Sequence, residues 1–126
     1  MYLLDTNVFI LGLRGEEPEA NLLKKAIQNN KLFISSVVIG EFLSKITEQE
    51  AESFYILVEM FKVLPVDKEV AVVAAEYRKT SLKTKRIHLL DCFLAAQAKL
   101  QNLILVTNNK SDFPMKDVRT ITPSQY

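Results

Sequence analysis

Among its 126 residues this chain has one cysteine, one histidine, three glycines and no tryptophan. The lone Cys92 excludes an internal disulfide and fits a reducing compartment. One cysteine and one histidine, His88, cannot supply the usual ligand set of a zinc site. The three glycines form neither a P-loop nor a G-x-G-x-x-G turn, so no phosphate cradle of those kinds is present. No apolar run approaches the roughly 20 residues that span a bilayer. Asp5 interrupts the N-terminus before a signal-like segment can form. The expectation is a cytoplasmic protein with no membrane attachment. Positive charge is also scarce in sum: a net charge of +1 predicts no global attraction to a polyanion.

What the chain does contain is ordinary globular material, 48% hydrophobic and 25% charged. Its length suits one domain over residues 1–126, with a short tail from about Thr122. Short apolar runs alternate with longer helical patterns, which predicts an α/β fold: a central, mostly parallel sheet flanked by helices. Strands are expected near Tyr2–Leu4, Lys31–Ile34, Lys62–Leu64, Leu103–Thr107 and Val118–Ile121. Helices are expected at Asn7–Leu13, Pro18–Asn29, Val37–Ile46, Glu48–Phe61, Lys68–Leu82 and Leu89–Gln101. Ser35 or Ser36 suits a cap for the third helix. Thr47 with Glu50 forms a capping-box pattern for the fourth, and Asp67 precedes the fifth as another cap. The Pro18–Asn29 and Glu48–Phe61 helices carry enough apolar residues for a partner groove, and core packing explains those residues equally well.

The acids stand where strands end and helices begin. Asp5 closes the first apolar run, and Glu41 is the single charge in Val37-Val38-Ile39-Gly40-Glu41-Phe42-Leu43, where Gly40 leaves space beside it. Asp91 opens an alanine-rich helix whose positions 91, 95 and 98 share a face, and Asp112 follows the fourth strand. Each has a structural explanation as well: a cap for Asp5, an exposed helical position for Glu41, a dipole-favoured first turn for Asp91, a turn for Asp112. A lone buried carboxylate is costly, so acids brought together in apolar sequence suit a bound cation. His88 and Cys92 lie one helical turn apart and could form a thiol dyad. A cysteine flanked by Phe93 and Leu94 also reads as a small buried hydrophobe.

Charge is uneven along the chain. Arg78, Lys79, Lys83, Lys85 and Arg86 fall in a stretch without acids just upstream of Asp91, whereas Glu48 to Glu59 is acidic. Cations beside an acidic cluster suit a polyanionic substrate approaching bound metal, and they also suit a helix end opposing its macrodipole.

Taken in order, four segments resemble the motifs of PIN-domain ribonucleases, most closely the VapC-type toxins of toxin–antitoxin pairs. They are Leu3-Leu4-Asp5-Thr6-Asn7, the Glu41 helix, Leu89-Leu90-Asp91-Cys92-Phe93-Leu94-Ala95-Ala96, and Val106-Thr107-Asn108-Asn109-Lys110-Ser111-Asp112-Phe113. The resemblance runs from Met1 to about Ile121. It implies a PIN-like fold in which Asp5, Glu41 and Asp91, with Asp112 as a fourth acid, converge on Mg²⁺ or Mn²⁺. Thr107 would match the hydroxyl residue beside that cluster, with Thr6, Asn7 and Asn109 in support. Many relatives carry an acid where this chain has Asn109, and others where Asp112 stands. The implied reaction is hydrolysis of RNA phosphodiesters to 5′-phosphate and 3′-hydroxyl ends. The charge pattern described above would then set Lys83, Lys85 and Arg86, with His88 beside them, against the RNA. The resemblance also implies a homodimer, and an antitoxin whose C-terminal segment blocks the acidic pocket.

Three rival readings stand beside it. A haloacid-dehalogenase-like phosphatase would use Asp5 as nucleophile, but expects an Asp where this chain has Asn7. A PIN-like binding module would treat Asn109 as the mark of a degraded site. An RNA-processing nuclease would share the chemistry without an antitoxin.

Overall fold

The computed structural model describes residues 1–81 and 87–126. Among the described residues five strands form one sheet: β1 (Tyr2–Leu4), β2 (Leu32–Ser35), β3 (Lys62–Leu64), β4 (Ile104–Val106) and β5 (Thr120–Ile121). Their order is β3-β2-β1-β4-β5 and each pairing is parallel. The helices are α1 (Thr6–Leu13), α2 (Glu19–Gln28), α3 (Ser36–Lys45), α4 (Glu48–Met60), α5 (Lys68–Ser81) and α6 (Leu89–Leu100).

β1 is the centre of the sheet. Successive residues of a strand point to opposite faces, and Leu3 and Leu4 are both fully buried, so helices cover both sides. On the helical side of the core Phe42 stacks on Phe54 with centroids 4.0 Å apart, and Phe9 meets Phe54 edge-on at 5.5 Å. A smaller cluster of Val70, Ala74, Ile87, Cys92 and Ala96 joins α5 to α6.

The helix starts follow their capping chemistry. Ser35 accepts the Val37 N–H, Asp67 accepts the Val70 N–H, and Thr47 and Glu50 close a reciprocal capping box. The residues from Thr122 form a short 3₁₀ turn with buried Pro123, and the Tyr126 ring lies 4.7 Å from that of Tyr2. The apolar residues of α2 are taken up by the core, where Leu22, Leu23 and Ala26 are buried. α4 instead leaves Tyr55, Ile56 and Met60 exposed. Among the described residues no helix is long and apolar enough to cross a membrane.

Order and polarity together define one edge. In an open parallel sheet ligands bind beyond the carboxyl ends of the strands, where the strand order reverses. Here β2 and β4 flank β1 on opposite sides, so that edge is where Asp5 stands.

Candidate active site

Asp5 is the N-cap of α1, and its carboxylate is held at both oxygens. Oδ1 accepts the Thr6 N–H at 2.8 Å, and Oδ2 accepts the Thr107 hydroxyl at 2.9 Å. Thr107 follows β4, so the β1–β4 pairing delivers that hydroxyl. Thr6 is itself buried, and its hydroxyl donates to Glu41 Oε1 on α3 at 3.0 Å. Asp5 and Glu41 are thus joined through one threonine. Asn7 is exposed, and the described hydrogen bonds to the Asp5 carboxylate come from Thr6 and Thr107. Gly40 is exposed too, and a Cβ there would meet nothing within 4 Å, so it makes room for no neighbour.

Beyond β4 the chain turns through a 3₁₀ segment, Lys110–Asp112. Thr107 Oγ1 accepts the Asn109 N–H at 3.0 Å, and the Asn109 amide donates to Asp112 Oδ2 at 2.6 Å. Asp91 lies in the first turn of α6. Together with Glu41, His88, Leu89 and Leu90 it lines an open cavity of about 310 Å³.

The electrostatics show that these groups share one neighbourhood. Burial pushes the Asp91 carboxyl up to about 6, the negative charges of Asp5, Asp112 and Glu41 push the same way, and His88 opposes them. Asp5 is likewise raised, first by burial and further by Glu41 and Asp112, while its bonds from Thr107 and Thr6 pull it back. The fold has gathered like charges from four separate segments.

A PIN-domain family model matches residues 2–118. The chain belongs to the PIN-domain family. It is 33% identical over 116 residues to ribonuclease VapC10 of Mycobacterium tuberculosis, spanning 91% of this chain and 87% of that protein. With ribonuclease VapC2 of Rickettsia felis it shares 29% identity over 122 residues, 90% of each chain. Its fold matches a chain in the crystal structure of VapBC2 from Rickettsia felis bound to a promoter DNA fragment. There the TM-score is 0.80 at 24% identity, over 96% of this chain and 97% of that one. In sequence this PIN domain is VapC-type.

Within this PIN domain the donors suit a hard cation. The four acids offer oxygen alone, and their mutual repulsion is the kind a divalent ion relieves. Among the described residues no three carboxylate, imidazole or thiol groups sit close enough to form a ready-made ligand cluster. A hard cation bound here would be met by one or two of these carboxylates directly and by the others through water.

Other expected groups fall elsewhere. His88 is the exposed N-cap of α6 at the cavity rim, whereas Cys92 is fully buried and burial pushes its thiol up, against a nucleophilic role. Of the basic stretch, Arg78 and Lys79 end α5, while Lys83, Lys85 and Arg86 lie outside the described residues. Sequence reasoning passed over Gln97, a buried amide whose hydrogen bonds reach β2 and the end of β3. Its signal was one polar residue in an otherwise apolar stretch, Leu94–Ala98.

Proposed function

We propose that this PIN domain is a Mg²⁺- or Mn²⁺-dependent endoribonuclease, the toxin of a VapBC-type pair, acting on RNA in the cytoplasm. The observation that carries the reading is the electrostatic coupling of Asp91 to Asp5, Glu41 and Asp112 at the carboxyl edge of the sheet. Its likeness to VapC ribonucleases over nine-tenths of the chain supports the substrate class. Asp5, Glu41, Asp91 and Asp112 are the residues that would hold the ion. Such an ion, when bound, lowers the pKa of a water and offsets charge on the attacked phosphate.

The protein's own groups have separable tasks in this scheme. Thr6 and Thr107 fix the plane of the Asp5 carboxylate by bonding both of its oxygens. The Thr6 hydroxyl sets one oxygen of Glu41, and the Asn109 amide binds one oxygen of Asp112. His88 at the cavity rim, with Lys83, Lys85 and Arg86 just before it, supplies cations and donors for RNA phosphates. The apolar face of α4, with Tyr55, Ile56 and Met60 exposed, offers surface to an antitoxin or a second copy in a homodimer.

Incubating the purified protein with a total-RNA pool, with Mg²⁺, Mn²⁺ or EDTA, tests the proposal. Metal-dependent cutting that is lost in Asp91→Asn is the expected result. Cutting that survives the substitution would overturn the assignment of the site.

A further inference from the structure

The acid-bearing helices α3 and α6 are tied together by a buried amide and a buried hydroxyl. Gln97 and Ser35 are 1% and 0% exposed. The Gln97 amide nitrogen donates to the carbonyls of Leu64 and Pro65, each at 3.0 Å, at the end of β3. Carbonyls only accept, so the nitrogen must face them and the Gln97 oxygen is left for a donor. That donor is the Ser35 hydroxyl, whose oxygen in turn accepts the Val37 N–H and caps α3. Each hydrogen-bonding direction is therefore determined, and every partner is satisfied.

This network has what the rest of the α6 interface lacks. Beside Gln97 the buried residues of the helix are all apolar: three alanines, Ala95, Ala96 and Ala98, with Cys92 and Leu94 toward its start. Alanines permit close approach but do little to fix a helix along its own axis. A helix shifted along that axis would strand the amide and two carbonyls without partners, at a cost no alanine contact imposes. Gln97 therefore sets the axial position of α6, and Asp91 sits six residues earlier on the same helix, about 9 Å away along its axis. On α3, Glu41 follows its Ser35 cap by a similar length of helix.

We infer that Gln97, together with Ser35, is a positioning residue that sets where Asp91 stands relative to Glu41. The inference rests on the nuclease reading given above.

The test compares Gln97→Leu with Leu94→Ala, a cavity variant of a buried α6 residue outside the network, each ranked by urea unfolding. Mn²⁺ binding by paramagnetic water relaxation and steady-state cleavage of a defined RNA are then measured on both. Gln97→Leu is expected to lower kcat about 10- to 100-fold with KM for RNA unchanged. It is also expected to weaken Mn²⁺ binding by about tenfold. Leu94→Ala is expected to lower stability while leaving both readouts at wild-type values. Should Gln97→Leu not fold, Ser35→Ala, which keeps the two Gln97–carbonyl bonds but severs the link to α3, is expected to show the same losses in smaller measure, and Ser35→Thr to restore the activity. Equal losses in the network variant and Leu94→Ala, or no loss in either, would reduce Gln97 to a core amide and overturn the proposal. A wild-type protein that neither binds Mn²⁺ nor cuts RNA fails differently: the nuclease reading itself falls, and the positioning role with it.

Discussion

Thr107 donates its hydroxyl to Asp5 Oδ2 at 2.9 Å, across 102 residues of sequence. Thr107 Oγ1 in turn accepts the Asn109 N–H at 3.0 Å, and Thr107 is completely buried. One hydroxyl thus joins the end of β1 to the loop that carries Asp112, and it holds the Asp5 carboxyl below the level that burial would otherwise impose.

Replacing it with the near-isosteric Thr107→Val is therefore expected to act on both stability and titration. Leaving Asp5 Oδ2 without its partner costs about 1–3 kcal/mol. With the lowering bond gone, the already raised Asp5 pKa rises further. The acid limb of the RNA-cleavage pH profile should move to higher pH. An acid limb that stays in place would show that Asp5 does not control it.

Asp91 gives a prediction of opposite sign for stability. Its carboxyl lies near 6 in the folded protein against an ordinary value of 3.8, so the folded state holds the proton more tightly than the unfolded one. Stabilisation is then fullest below the unfolded value and is lost as pH rises from about 4 through about 6. At neutral pH the ionised Asp91 is a burden, and Asp91→Asn relieves it. In EDTA at pH 7 the variant should be more stable than wild type by about 1 kcal/mol, allowing for solvent screening of a half-exposed carboxyl. The difference should disappear near pH 4. Urea unfolding at both pH values measures it, and a variant less stable than wild type at pH 7 contradicts the like-charge account.

Divalent metal should reverse that ranking. An ion that binds only the folded protein stabilises it with the logarithm of its concentration over Kd, by about 2.7 kcal/mol at a hundredfold excess. Thermal melts with rising Mn²⁺ should show wild type gaining Tm while Asp91→Asn gains less. Parallel curves would mean that Asp91 takes no part in holding the ion.

In the core the decisive residue is Phe54, sandwiched between a stacked Phe42 and an edge-on Phe9. Phe54→Ala removes both ring contacts from a fully buried site and should cost about 3–5 kcal/mol. Exposed Tyr55 next to it should tolerate the same change with a far smaller loss. Similar urea midpoints for the two variants would place the core elsewhere.

Local pattern was enough to read most of the fold. β1 and β3 run as expected, and the six helices match to within a residue or so at their ends. The reason is visible in Thr47 and Glu50, whose capping box is a purely local device written within four residues. The acids at the strand ends were legible for the same reason, each marking a change of periodicity. What pattern alone could not supply was adjacency. That β4 lies beside β1, that Thr6 bonds to Glu41, and that Gln97 reaches Ser35 depend on partners brought together by the tertiary fold. The tail was opaque too, because Tyr126 is held by Tyr2 at the far end of the chain.

The central position of β1 has a bearing on synthesis. β1 must wait for β4 to complete its pairing, and Asp5 for Thr107, 102 residues further along the chain. A nascent chain can carry Asp5 and Glu41 long before it has the strand that orients them. The orientation of Asp5 is therefore a late event in the making of this chain, reached only when the sheet closes on both sides of β1.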